Sequence, residues 1–240
     1  MNIGPHTSRP LNKAGFRSTT IDAGLRRYML AVYNYMAVGL GLTGLVAAIA
    51  AASDFYGQIA GTPLIWLVML APLAAVLFLI FRIERMSFAT AQTVFWVYAS
   101  LMGLSFAGIL LVYTGTSVAR VFFISAGTFA AMSLYGYSTG RDLSRLGSFL
   151  FMGLVGVILA SAVNIFVASS MLHFAISVIG VLVFTGLTAY DTQRIKEIYF
   201  SGRGGTELAK LGLMGALTLY LDFINLFVMI LQLTGERRER

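Results

Sequence analysis

Seven long stretches of apolar residues, separated by short polar segments, make up most of this chain. A membrane-spanning helix needs roughly 17–25 mainly apolar residues, and in lipid its backbone finds hydrogen-bond partners only within the helix. The pattern therefore predicts an all-α integral membrane protein with seven transmembrane helices. We place the spans at residues 28–52, 63–81, 86–113, 118–138, 146–170, 172–190 and 211–234.

The polar segments are too short to form a second domain. Residues 28–240 are therefore predicted to form a single seven-helix membrane domain, preceded by a flexible polar cytoplasmic tail at residues 1–27. Good helix formers continue the sixth helix beyond its span to Tyr199, and a glycine-rich segment at 202–205 then interrupts it. Thr206 is predicted to cap the N-terminus of the seventh helix.

Composition supports an integral membrane protein with little mass outside the bilayer. Hydrophobic residues are 58% of the 240 and charged residues only 11%, whereas a soluble domain carries about 25% charged residues. The chain has no cysteine and two histidines, which excludes disulfides and zinc sites of the usual kind. Carboxylates are the remaining candidate ligands, and they suit a hard cation such as calcium.

The basic residues predict a cytoplasmic N-terminus, because Lys and Arg concentrate in short loops on the cytoplasmic side. On this orientation 13 basic residues lie inside and 4 lie outside. The inner set is Arg9, Lys13, Arg17, Arg26, Arg27, Arg82, Arg85, Arg141, Arg145, Arg194, Lys196, Arg203 and Lys210, and the outer set is Arg120, Arg237, Arg238 and Arg240. The net charge of +7 suits an anionic membrane surface better than nucleic acid.

Asp222 is the single charged residue in the seventh apolar run, residues 211–234. A charge at that depth costs a few kcal/mol or more, and such residues usually face a cavity or a partner and mark a pathway. Asp191, near the end of the sixth helix, is the candidate partner. A depth difference on the order of 10 Å along the helical hairpin has to be closed by tilt or by a partly inserted loop.

Two carboxyl groups that meet in a poorly solvated site cannot both ionise cheaply, so they share a proton and titrate as a unit. One proton changes the local charge by one, enough to make or break a contact with Arg82 or Arg194. It also sets whether a divalent cation meets one negative charge or two. The pair is thus a candidate pH-responsive gate or cation site. In the alternative interpretation, a protonated Asp222 bonds to Asn225 or a backbone carbonyl and serves only packing.

The segment Gly136-Tyr137-Ser138-Thr139-Gly140 matches the serine nucleophile motif Gly-x-Ser-x-Gly. That motif needs a strand-to-helix turn and a histidine within reach. Here it ends a predicted membrane helix at the inner face, whereas His173 is predicted at the outer end of the sixth span. We therefore do not expect a serine hydrolase.

Two segments are distinctive: residues 190–196, Tyr-Asp-Thr-Gln-Arg-Ile-Lys, and residues 219–227, Leu-Tyr-Leu-Asp-Phe-Ile-Asn-Leu-Phe. Together with the seven spans, they make the chain resemble the bacterial branch of the Bax inhibitor family, the transmembrane Bax-inhibitor-motif proteins. The resemblance implies a central seventh helix and a pH-sensitive calcium leak in the bacterial inner membrane. It also implies that Asp191 and Asp222 are the pH-sensing acids and that Arg82 is a latch to them.

The chain differs from some calcium-leaking relatives in two places. They carry an acid within the second span, where residues 63–81 are apolar here, and an arginine after the last acid, where this chain has Gln232.

Three functions are consistent with these features. The first is a pH-gated calcium leak with Asp191 and Asp222 as sensor and metal site, which needs no cofactor beyond the transported Ca²⁺. The alternative is a membrane-embedded regulator that binds a membrane protease or another membrane partner through residues 1–27 without transporting ions. The third, an intramembrane aspartyl protease, is disfavoured because the Gly-x-Gly-Asp and Pro-Ala-Leu signatures are absent. We therefore expect neither an enzyme nor a catalytic residue.

Overall fold

The computed structural model describes residues 13–53, 55–59, 61–201 and 204–238, with the backbone alone for residues 13–22. Within these ranges the α-helices are α1 (Lys13–Ala52), α2 (Phe55–Ile59), α3 (Leu64–Arg82), α4 (Phe88–Val112), α5 (Gly115–Ser138), α6 (Ser144–Val167), α7 (Ser170–Tyr199) and α8 (Gly205–Thr234). A short 3₁₀ helix, Ile83–Arg85, follows α3.

Seven of the described helices are long and apolar enough to cross a membrane, which confirms the all-α fold and the seven predicted spans. They are α1 and α3 to α8, and they correspond in order to the first to seventh spans. Helix α2 has only five residues and connects α1 to α3. The helix of the sixth span continues beyond residue 190 and ends at Tyr199, as predicted.

Helix α8 is the central helix of the bundle, as predicted. It packs against α1, α4, α5 and α7. Of its apolar 18-residue stretch 67% is buried, whereas at most 39% of the corresponding stretch is buried in any other span. Helix α3 packs mainly against α4, and α6 packs mainly against α7. One face of α8 is consequently less covered, and Thr218, Leu221, Asn225 and Met229 lie partly exposed along it.

Hydroxyl side chains begin three of the spans. Ser87, Thr114 and Ser169 precede α4, α5 and α7, and each accepts a backbone N–H three residues further on. Such caps satisfy one of the donors that a helix N-terminus leaves free. The predicted Thr206 cap of α8 is wrong, because the cap position is Gly204 and Thr206 already lies in the first turn.

Helix α1 begins well inside the predicted tail. It is helical from Lys13, and Leu25 and Tyr28 are buried. The Tyr28 ring packs on that of Tyr199, with 5.6 Å between ring centroids. The predicted boundary at residue 27 therefore falls within a packed helix, and residues 1–12 of the predicted tail lie outside the described part of the chain.

The two ends of the bundle differ. We call the end that carries residues 83–87, residues 139–143 and the end of α7 at Tyr199 the basic end. At the opposite end, residues 235–238 form a C-terminal strap across the connection between α4 and α5. Arg237 in this strap forms an antiparallel bridge with Tyr113.

Candidate functional site

Helix α7 is pinned between two glycines just before Asp191. Gly136 of α5 faces the carbonyl group of Ala189, and a Cβ at position 136 would overlap that backbone oxygen. Gly147 of α6 faces the ring of Tyr190 in the same way. Small residues let helix backbones approach closely in lipid, where packing drives much of helix association. The two contacts therefore fix the position of α7 immediately before Asp191.

A chain of hydroxyl groups holds α7 just after Asp191. The Thr192 hydroxyl lies 3.0 Å from that of Ser133, and Ser133 lies 2.6 Å from the Tyr33 hydroxyl. Thr192 and Ser133 are both buried. Because each hydroxyl can donate one bond and accept two, the chain joins α1, α5 and α7 and fixes the rotation of α7 about its axis.

Gln193 and Lys196 fasten α7 to the end of α5 and the loop that follows. The Gln193 amide donates to the Arg141 carbonyl at 2.8 Å, and its oxygen accepts the Leu143 N–H at 2.9 Å. Lys196 Nζ donates to the Tyr137 carbonyl at 2.7 Å, in the last turn of α5, where the helix dipole also favours a cation. The polar residues that flank the acid and the arginine in this segment thus serve to position the helix.

Tyr220 positions α8 two residues before Asp222. Its hydroxyl lies 2.7 Å from the hydroxyl of Thr43, which donates to the Ala99 carbonyl at 2.8 Å. Since the threonine hydrogen is used in that bond, the tyrosine is the donor between them. The buried ring packs edge-on against Tyr98, so α8 is anchored to both α1 and α4.

The carboxyl groups of Asp191 and Asp222 lie close enough to each other to interact directly. The residues are 9% and 5% exposed, so the pair is largely removed from solvent. A bond between two carboxyl groups requires a proton on one of them. Among the described residues no N–H or O–H group donates to the buried Oδ2 of Asp222. The structure thus brings together the two acids that the sequence singled out.

The expected depth difference between the acids is largely removed because α8 begins beyond the end of α7 at the basic end. Gly215 of α8 packs on Ile195 of α7. Ile195 is four residues from the end of α7, and Gly215 is ten residues from the start of α8. At 1.5 Å per residue, α8 therefore extends about 9 Å beyond α7. The level of Asp191 then lies within one helical turn of Asp222, a gap that the two side chains bridge.

A cavity of about 1170 Å³ lies between α6, α7 and α8, and both acids are on its wall. Arg194 shares this wall, and its charge acts on Asp191. Asn225 also lines the cavity, but its amide donates to the Leu221 carbonyl at 2.8 Å. The alternative pairing of Asp222 with Asn225 is therefore not formed.

Arg82, the expected latch, lies apart from the acids in this structure. It ends α3, its side chain is exposed, and it does not line the cavity. The ion pair found within the described residues does not involve Arg82. It joins Arg120 and Glu236 at the opposite end of the bundle. Of the two arginines considered, Arg194 is the one that faces the pair.

A calcium ion at the acid pair would meet four carboxylate oxygens at most. Calcium takes six to eight oxygen ligands, so the ion would keep part of its hydration shell. Over the described ranges no group of three or more His, Asp and Glu residues is close enough to form a fuller metal site. Such a donor set suits an ion in transit better than one held permanently.

The Gly-x-Ser-x-Gly segment has a packing role. Gly136 makes the close approach to α7, and the Ser138 hydroxyl donates to the Leu134 carbonyl of its own helix at 2.7 Å. His173 is in the first turn of α7, at the opposite end of the bundle. Neither glycine contact with α7 was expected, because a Gly in an apolar run looks the same whether a neighbouring helix or lipid covers it.

Comparison with known proteins finds similarity over nearly the full length. The family model described as Inhibitor of apoptosis-promoting Bax1 matches residues 25–239. Protein RP147 of Rickettsia prowazekii is 52% identical over 225 residues, which cover 93% of this chain and 95% of that protein. Inner membrane protein YbhL of Escherichia coli K12 is 47% identical over 220 residues, covering 90% and 94%. A Caulobacter vibrioides protein is 43% identical over 249 residues, covering 99% and 98%.

Proposed function

Because this chain belongs to the Bax inhibitor family of membrane proteins, we propose that it is a pH-sensitive leak for calcium in the bacterial inner membrane. Asp191 and Asp222 act as both proton sensor and ion site. The proposal needs no cofactor and no catalytic step, and calcium is the transported ion.

The observation that carries the proposal is the close approach of two acids of neighbouring helices on the wall of a large cavity. Acids placed in this way share a proton, and their combined charge changes by one when that proton arrives or leaves. Ionisable residues inside membrane spans usually mark ion or proton pathways.

Arg194 supplies the opposing charge. With one proton on the pair, the remaining negative charge balances the arginine. Loss of that proton leaves a second negative charge, which a divalent cation can neutralise, whereas a second proton leaves Arg194 without a counter-charge. An unbalanced charge is costly where water is scarce. The net charge of the cavity wall therefore depends on pH, and the rate at which a cation passes along the wall depends on it as well.

Arg82 acts as a latch only in a second arrangement of the bundle. In the present one it is exposed at the basic end of α3.

Calcium entry into proteoliposomes tests the proposal, with a calcium dye inside and the external pH varied from about 5 to about 8. The wild type should admit calcium at a rate that changes with pH. Asp191→Asn and Asp222→Asn should abolish that change, because a single carboxyl group has no neighbour with which to share a proton.

Asp142→Asn is the matched control. Asp142 is exposed in a loop at the basic end, and hydrogen bonds from the side chain and backbone of Ser144 hold its pKa below the ordinary value of 3.8. It therefore stays ionised throughout the assay, and its variant should keep the wild-type profile. The leak is refuted if the wild type passes no calcium at any pH, or if both acid variants retain its pH profile. A regulator that acts through residues 1–27 would then be the better reading.

A further inference from the structure

The cavity between α6, α7 and α8 is long as well as large. On α6 its wall extends from Gly147 to Ile165, which corresponds to about 27 Å of helix. That length approaches the hydrocarbon thickness of a bilayer, about 30 Å. Several α6 residues on this wall are also strongly exposed, among them Phe151, Ile158 and Ile165. The cavity is therefore accessible from the lipid along the side of the bundle.

The wall is mostly apolar, and its serine and threonine hydroxyl groups have no donor to spare. The hydroxyls of Ser148, Ser161 and Thr218 each donate to a carbonyl of their own helix, as does the amide of Asn225. Four polar side chains of the wall are thus hydrogen-bonded to the backbone of their own helix.

The acids on this wall are rich in acceptors by comparison. Asp191 and Asp222 lie side by side, and Oδ2 of Asp222 is buried with no donor among the described residues. Buried polar atoms without partners are uncommon in folded proteins. Among the described residues Arg194 is the one basic residue on the wall. With one proton on the pair the wall is balanced, but once that proton leaves, two carboxylates and one arginine carry a net negative charge. A ligand with one positive charge can therefore take the place of the shared proton.

We infer that this cavity binds a lipophilic primary amine, an alkyl chain that carries a protonated amino group. The ammonium group donates up to three hydrogen bonds and meets Asp191 and Asp222, while the alkyl chain lies along the apolar wall of α6. The cavity is large enough, because sites for drug-sized ligands measure about 300–1,000 Å³. An anionic amphiphile would meet the negative charge of the carboxylates, and a neutral alcohol has no positive charge with which to replace the shared proton.

Thermal unfolding of the purified protein in dodecyl maltoside micelles at neutral pH tests this inference. Dodecylamine is the probe, and it is protonated there because alkylamines resemble Lys, with a pKa of about 10.4. At a hundredfold excess over its Kd it should raise the unfolding midpoint by roughly 5–10 °C. Dodecanol and dodecanoate at the same mole fraction should not.

Two substitutions separate the ends of the site. Asp222→Asn removes the charge that attracts the amine. Ala162→Phe fills the apolar part of the cavity and leaves both acids intact, whereas Val163→Phe makes the same change at the next residue, which lies outside the cavity wall. The amine-induced shift should disappear in the first two variants and persist in the third.

An equal shift with dodecanol, or an amine shift that survives both Asp222→Asn and Ala162→Phe, would overturn the inference. This inference does not depend on the calcium leak, because amine binding is measured without ion flux. Amine binding without calcium entry would refute the leak alone, and acid-dependent calcium entry without amine binding would refute the amine site alone.

Discussion

Gly136 and the carbonyl oxygen of Ala189 mark the close approach of α5 to α7. No side chain fits between them, and Ala189 stands two residues before Asp191. The distance between these two helices therefore determines where one of the paired acids lies.

Gly136→Ala should destabilise the protein by about 1–3 kcal/mol, since its methyl group would press on a backbone atom that cannot rotate away. Gly127→Ala is the control on the same helix, where a Cβ would meet no atom within 4 Å. That change should be neutral or slightly stabilising, because Ala favours the helix over Gly by about 0.5–1 kcal/mol. Unfolding midpoints in detergent compare the two, and equal midpoints would contradict the packing role of Gly136.

Gln193→Leu should lower stability by about 1–3 kcal/mol, because the buried Leu143 N–H loses its acceptor. Gln92→Leu is a matched change on α4, where the amide makes one bond of 3.2 Å to the Tyr35 hydroxyl and is only partly buried. Its effect should be smaller. Chemical unfolding monitored by tryptophan fluorescence distinguishes them, and a larger loss at Gln92 would be unexpected.

Arg194→Gln should alter the pH profile of calcium entry more than Arg82→Gln does. Arg194 is on the cavity wall and acts on Asp191, whereas Arg82 is exposed at the end of α3. The proteoliposome assay measures both. If Arg82→Gln alone changed the profile, a conformation in which α3 brings Arg82 to the acids would govern the flux.

Removal of residues 235–240 should destabilise the opposite end of the bundle, because Thr114 loses the carbonyl of Glu236 and Val112 loses the N–H of Arg238. Removal of residues 239–240 alone should have little effect, since the strap stays in place.

Glu236→Gln isolates the ion pair with Arg120. Both side chains are more than half exposed, at 65% and 53%, and such pairs contribute about 0–1 kcal/mol. The six-residue truncation should have the lowest unfolding midpoint, well below those of Glu236→Gln and of the protein without residues 239–240. A Glu236→Gln midpoint as low as that of the truncation would assign the strap's effect to the ion pair.

The spans and the two candidate acids could be singled out because the relevant signals are local. Apolar length alone identifies the seven spans, and Asp222 is conspicuous as one charge in a long apolar run. The extension of the sixth helix to Tyr199 follows from good helix formers before a glycine-rich break. Each of these features depends on what a single segment can do in lipid.

The features that could not be predicted depend on partners from elsewhere in the chain. The prediction of a Thr206 cap was wrong because Gly204 occupies the cap position and the helix begins at Gly205. Arg82 and Arg194 are indistinguishable as basic residues near one end of the membrane, and only the packing of α3 and α7 separates them. The cavity was invisible because apolar residues line it just as they line a lipid-facing surface.

The C-terminal strap ties the central helix to the connection between α4 and α5, beyond the end of the apolar span. Its residues 235–238 continue directly from α8, and they are bonded to the connection between α4 and α5. Any sliding of α8 along its axis that repositions Asp222 must therefore pull on that connection as well. A fluorophore at Thr116 would report such sliding from the water, some distance from the acids themselves.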